Sequence, residues 1–265
     1  VQKAMAELGY TPNANARALV SQTCDTMGVV VGDVADPFFG ALVKGVAAVA
    51  VEQGLHLLMG NGFHRAQQER EAIELLIGKR CEALVVHSKA LGDEELVDYA
   101  LRAPGMVLIN RDIPSLRGRC IALNNRQGAA TATRHLLDLG HRHIAFLSSD
   151  HAIEDALLRH QGYQDALAEA EVFADPELVE SGMPNEEGGE RAMLNLLAKG
   201  LPITAVVAYN DAMAAGAISV LADNGLKVPE EVSVVGFDDI IYARYLRPKL
   251  STMRYPIELM AAQAA

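Results

Sequence analysis

The chain has 265 residues, half of them hydrophobic and 22% charged, with a net charge of −11. That length fills one large or two modest domains around a real core, and the acidic balance argues against a body that itself grips nucleic acid. No apolar run approaches the roughly 20 residues of a membrane span, and no basic-then-apolar leader precedes the first pattern.

The chain opens on Val1 within a helical pattern and reads as a segment that begins inside a longer protein. Residues 2–8 look like the end of a helix stopped by Gly9, and Tyr10-Thr11-Pro12-Asn13 is a breaker. Asn13 to Gln22 then fits one short Ala-rich helix, marginal in water unless something holds it. Residues 1–24 carry +1, from Lys3 and Arg17 against Glu7, so the acidity belongs to residues 25–265.

From Gly28 the rhythm is regular. Val29, Val30 and Val31 form a short β-branched run with no polar alternation, the mark of a strand covered on both faces. Asp36-Pro37 after it is a helix start, a carboxylate to cap free N–H groups and a ring that fits the first turn. Strands are predicted at 28–34, 55–60, 82–87 and 105–110, with helices at 37–53, 66–79 and 93–102. An extended run at 119–123 precedes a helix at 126–139. The alternation resumes with strands at 143–148, 204–209 and 232–237 and helices near 154–170, 187–199 and 211–224. Gly140, Gly200 and Gly225 each follow a helix, where a left-handed stop is needed. Repeated βα units predict parallel sheets with helices on both faces. The strand count is high for one sheet, so two similar α/β lobes are expected.

Many strands end in a polar side chain: Asp33 and Asp36, Asn61, His87, Asn110-Arg111, Ser148, Asn210-Asp211 and Asp238-Asp239. Any one of these alone reads as a cap or turn residue. Together they line one sheet edge, the edge where such sheets bind ligands, beside the rings of Phe38 and Phe39. Carboxylates and amides for hydroxyl pairs, a planar guanidinium fork and aromatic faces are what a neutral polyol needs. Such a site is expected to be concave and to lie between lobes. Enzyme signals are weak. There is no Gly-x-Ser-x-Gly elbow and no phosphate loop, and Arg65 stands where a dinucleotide fingerprint after Gly60-Asn61-Gly62 wants glycine. The eight histidines show no ligand spacing, so no metal and no cofactor are expected. Cys24, Cys81 and Cys120 are odd in number and read as reduced thiols in a cytoplasm.

Asp36-Pro37-Phe38-Phe39, Asn210-Asp211 and Gly236-Phe237-Asp238-Asp239, with the runs Pro12 to Leu19, Gly105 to Arg111, Thr204 to Gly216 and Arg254-Tyr255-Pro256, resemble the lac/galactose repressor family along the whole chain. The resemblance implies an α/β fold of two Rossmann-like parallel-sheet lobes of the periplasmic-binding-protein type. It also implies three crossovers, placed near 122–125, 238–243 and 251–256. Residues 1–10 would be the remnant of a helix-turn-helix domain and 11–24 the hinge helix and linker. Residues 25–122 with 253–265 would form the N-terminal lobe, and 123–252 the C-terminal lobe. The implied effector site is Asp36, Phe38, Phe39, Asn61, Asn110, Arg111, Arg159, Asn210, Asp238 and Tyr255. Asn13, Asn15, Ala16, Arg17 and Leu19 fall on the hinge, with Leu19 as the wedge in the DNA minor groove. The implied function is a sugar-responsive repressor core of the galactose type, dimeric and cytoplasmic, whose partners are a monosaccharide and operator DNA. Two alternatives stand beside it, a periplasmic sugar-binding protein of a transport system and an α/β enzyme using Asp238.

Overall fold

The computed structural model describes residues 25–265, and the expected remnant and hinge lie outside the described residues. The chain divides into two units, one holding the described residues up to Ile121 together with Glu258–Ala265, the other Ala122–Ile257.

In the first unit β1 (Thr26–Val31), β2 (His56–Asn61), β3 (Ala83–Val86), β4 (Met106–Ile109) and β5 (Cys120–Ile121) alternate with α1 (Pro37–Glu52), α2 (Ala66–Gly78) and α3 (Asp93–Arg102). The sheet order is β2-β1-β3-β4-β5, and every pairing is parallel. Val29, Val30 and Val31 are fully buried, as a central strand covered by helices on both faces requires. Asp36 caps α1 by accepting the Phe38 N–H at 2.8 Å, with Pro37 opening the first turn.

The second unit carries β6 (Ile144–Ser149), β7 (Val179–Gly182), β8 (Ala205–Ala208), β9 (Ser233–Asp238) and β10 (Ser251–Arg254). Its helices are α4 (Asn125–Asp138), α5 (Glu154–Glu169), α6 (Glu186–Ala198), α7 (Asp211–Asp223) and the short α8 (Ile241–Tyr245). The order is β10-β9-β8-β6-β7, again all parallel. Buried side chains of β6, β8, α6 and α7, among them Leu147, Met193, Leu196, Val206 and Leu221, fill one side of this sheet.

The structure differs from the sequence expectations in three places. The segment 251–254, expected as a crossover, is the edge strand β10, paired with β9 from Ser251↔Val235 to Arg254↔Asp238. Residues 253–257 therefore belong to the second unit, and the chain returns to the first only at Glu258. The segment 238–243 likewise stays inside the second unit, because β9, α8 and β10 are consecutive parts of it. Strand β7, Val-Glu-Ser-Gly, is absent from the expected elements, since a half-buried edge strand of four residues carries almost no apolar pattern.

Helix α9 (Ile257–Ala264) belongs to the first unit from Glu258 onward. It meets α1 at Gly45, where a Cβ would collide with the Glu258 carbonyl and crowd Ala261. Lys44 bonds the Glu258 carboxylate at 3.0–3.1 Å beside this contact, an exposed pair worth little. Gly45→Ala gains up to about 1 kcal/mol of helix propensity but overpacks against backbone, which costs about 1–3 kcal/mol. Urea unfolding should show net destabilisation, with amide exchange accelerated in α9 and not in β6 or β8. Wild-type protection throughout α9 would show that the close approach is not needed.

Candidate functional site

Each unit gathers polar groups at the C-terminal ends of its strands. In the first unit β1 and β2 run in register to Val31↔Asn61 and β1 and β3 to Val30↔Val86, so Val31, Asn61 and His87 finish side by side. Phe38 and Phe39, on the first turn of α1, pack edge to face at 5.2 Å. The Phe39 ring is met by His87 at 4.9 Å and His64 at 5.8 Å, and the two imidazoles are 5.8 Å apart. Asn61 Oδ1 and His87 Nδ1 are buried with no hydrogen-bond partner. Burial, with Lys89 and His64 nearby, holds the His87 imidazole well below its ordinary pKa, so it stays neutral.

Asn110 follows β4 in a left-handed conformation (φ 58°) that Asn tolerates better than most residues. Its carbonyl accepts the Lys89 ammonium. Arg111 does not present an open fork. Its guanidinium donates to the Asp93 carboxylate at 2.6 Å and to the carbonyls of Leu91 and Ser88 at 3.2 and 3.4 Å. Glu69, 1% exposed, anchors the same loop by accepting Ser88 Oγ at 2.5 Å and the N–H groups of Ala90 and Leu91.

The second unit is organised around Arg159 on α5, which is 3% exposed. Its Nε donates to Asn125 Oδ1 at 2.9 Å, Nη1 to the Tyr209 carbonyl at 2.5 Å, and Nη2 faces Asp238 Oδ1 at 3.5 Å. The guanidinium lies 3.7 Å from the Phe237 ring centre and 4.6 Å from that of Tyr209. Burial works against its charge, but Asp238, Tyr209 and Asp155 around it hold its pKa above the ordinary value. Asn125 in turn donates to Asp155 at 3.3 Å. The 3.5 Å contact is long for a charge-assisted bond. Asn210 caps α7 by accepting the Met213 N–H at 2.8 Å, while its amide donates to the Pro184 carbonyl at 2.9 Å. Tyr255, 3% exposed, ties its N–H to the Asp238 carbonyl at 3.1 Å, and burial raises its phenol pKa.

The backbone at the end of β9 is unusual: Asp238 has φ 112° and Asp239 φ 58°. Non-glycine residues in such regions cost on the order of 1–3 kcal/mol each and persist where surrounding structure over-determines them.

The structure thus brings Phe38 and Phe39 together in the first unit, and Arg159, Asp238 and Tyr255 in the second. Asp36 and Asn210 stand at the expected places, with side chains engaged as caps. Asn13, Asn15, Ala16, Arg17 and Leu19 lie outside the described residues. His64, Asn125, Asp155, Tyr209 and Phe237 are not among the expected site residues, and His87 is expected at the sheet edge but not in the implied effector set. Only His87 has a usable signal, as the polar end of an apolar strand; Tyr209 enters through its carbonyl and its ring. Among the described residues no three His, Cys, Asp or Glu side chains stand close enough to hold a metal ion, and no helix is long and apolar enough to cross a membrane.

Two parallel α/β units, each with a polar cluster at its strand ends, define a periplasmic-binding-protein-like ligand-binding core. A family model described as a periplasmic binding protein-like domain matches residues 133–265. The HTH-type transcriptional regulator GalR of Escherichia coli (strain K12) is 57% identical over all of this chain and 77% of its own length. GalS of Salmonella typhimurium (strain LT2) is 53% identical over 98% of this chain and 77% of its own. A crystal structure of a sugar-binding regulator of the LacI family from Escherichia coli, complexed with phosphate, superposes with a TM-score of 0.80. That regulator is 32% identical, over 91% of this chain and 88% of its own. The chain belongs to the LacI/GalR family of transcriptional regulators. It is a regulator and not an enzyme, and the transport-protein alternative is set aside.

Asp211, next to Asn210, is fully buried, and burial pushes its carboxyl up to about 6, against hydrogen bonds from Thr252 and the Ile240 N–H. The folded state therefore binds this proton more tightly than the unfolded chain. Its contribution to stability is greatest below about pH 4, falls as pH rises to about 6, and is constant above that. The shift from 3.8 to about 6 corresponds to at most about 3 kcal/mol. Asp211→Asn removes the titration, so between pH 4 and pH 7 its stability relative to wild type should improve by up to that amount in urea melts. A pH-independent difference would mean an ordinary carboxyl.

Proposed function

We propose that the protein is a sugar-responsive repressor whose effector is a neutral monosaccharide, D-galactose. The observation that carries the reading is the buried Arg159 cluster, a planar donor fork shared among an amide, a carbonyl and a carboxylate and flanked by aromatic rings. Hydroxyl pairs of a sugar match such alternating donors and acceptors, and the apolar face of a pyranose matches the rings. In this reading Asp238, Arg159 and Tyr255 contact the sugar from the second unit. Asp36, Phe38, Phe39, Asn61 and Asn110 are the sugar-contacting candidates of the first unit. His87 joins them through its unsatisfied Nδ1. Arg111, engaged with Asp93, holds the loop that carries His87 and Lys89. The likeness to GalR and GalS supports galactose over other hexoses.

The reading includes a homodimer that holds operator DNA through residues 13–20, with sugar lowering that affinity. A ligand shifts such an equilibrium only by its differential affinity for the two states. It also places the protein in the cytoplasm, where Cys81 and Cys120, neither of them in a disulfide, stay reduced.

Galactose at 100 times its dissociation constant should stabilise the protein by about 2.7 kcal/mol. Unmoved melting with both galactose and glucose, alongside a rise with a purine or an amino acid, would refute the assignment. Arg159→Lys keeps the charge but loses the planar fork, and Asp238→Asn keeps the shape but loses an acceptor. Calorimetry should show each weakening galactose binding by roughly 1–3 kcal/mol. Wild-type affinity in both would show that the cluster serves the fold alone.

A further inference from the structure

Asp211 lies beneath the candidate site without belonging to it. Its Oδ1 accepts the Thr252 hydroxyl at 2.5 Å and its Oδ2 the Ile240 N–H at 2.9 Å. Thr252 sits on β10 opposite Gly236 of β9, and a Cβ at Gly236 would collide with Asp211 Oδ1, so glycine there leaves room for the carboxylate. The same Thr252 oxygen accepts the Asp239 N–H at 3.4 Å. The two peptide N–H groups that follow Asp238 are thus held, one by Thr252 and one by Asp211. They are the amides of the turn in which Asp238 and Asp239 both have positive φ. Asn210 already caps α7, so the helix does not need this carboxylate at its start.

We propose that Asp211, working through Thr252 and the Ile240 N–H, is the positioning residue that holds Asp238 in its ligand-binding conformation. The role rests on the sugar reading above. Without the clamp the turn relaxes toward negative φ, and the Asp238 carboxylate leaves the place where it faces Arg159. Stretch 209–211 then serves both halves of that pair, since the Tyr209 carbonyl accepts from Arg159 and Asp211 fixes the turn under Asp238.

The test is calorimetric titration of galactose into wild type, Asp211→Ala, Thr252→Val and each of these combined with Asp239→Gly. Melting temperatures are recorded beside every titration. Asp211→Ala should weaken galactose at least 10-fold and Thr252→Val at least 3-fold. Adding Asp239→Gly should recover at least 3-fold in each, because glycine takes the positive φ without strain. The Arg254 pair lost with Asp239 is exposed on the arginine side and worth little. If Asp211→Ala does not fold, the Thr252→Val pair decides. Lowered melting with unchanged galactose affinity, or a loss that Asp239→Gly does not recover, would overturn the proposal. A wild type that binds no monosaccharide overturns the sugar reading instead. Amide exchange then still judges the clamp: faster exchange at Asp239 and Ile240 in Asp211→Ala upholds it, and unchanged exchange overturns it.

Discussion

A guanidinium taken out of water must find its compensation in the protein, and the second unit is arranged around that demand at Arg159. Desolvating the charge costs several kcal/mol, which a single ion pair does not return unless hydrogen bonds occupy the remaining donors. Three partners come from three different elements: Asn125 at the start of α4, the Tyr209 carbonyl after β8, and Asp238 at the end of β9. The Asn125 partner is within reach because α5 packs closely on α4. Gly162, one turn beyond Arg159, allows this, since a Cβ there would collide with the Arg126 carbonyl and crowd the Ala130 amide. Arg126 and Asp165 bridge the same helices at 2.5 Å, but on the exposed side, where the pair contributes little. Glycine at the crossing matters more than the salt bridge beside it.

The first unit solves a different problem with different means. Phe38 and Phe39 are nearly buried and pack on each other and on histidines, so their rings belong to the core while standing at the strand ends. The loop after β3 is held by Glu69, whose carboxylate gathers a hydroxyl and successive backbone N–H groups. Such a concavity of amides ordinarily takes an anion; here the anion is part of the chain. Arg111 then grips the outside of the same loop. One buried and one half-buried charge fix a segment that has no regular structure of its own.

Most of the architecture was legible in the chain. The triple valine of β1, the Asp36-Pro37 start of α1 and the glycines after α4, α6 and α7 have local physical causes, and these survive in any context. What could not be read were the two edge strands. Val179–Gly182 and Ser251–Arg254 are short and half exposed, held by ladder hydrogen bonds to neighbours far along the chain. The site was legible in part for the same reason. Asp238 and Arg159 stand out as charges in apolar or helical runs. Nothing in the sequence says that Arg111 spends its donors on Asp93, that Asn125 reaches Arg159, or that a backbone carbonyl at Tyr209 takes part. Those facts depend on which helix crosses which, and at what distance.

The placement of α9 has a consequence for how the molecule is made. Residues 25–121 emerge from the ribosome first, yet the helix that covers Gly45 belongs to the far side of the second unit in sequence. At typical elongation rates the wait is on the order of ten seconds, during which the α1 face at Gly45 lacks its α9 partner. Strands β6 to β10 of the second unit are all synthesised before α9. Native contacts at Gly45 are therefore expected to form late, after the strands of both sheets have been made.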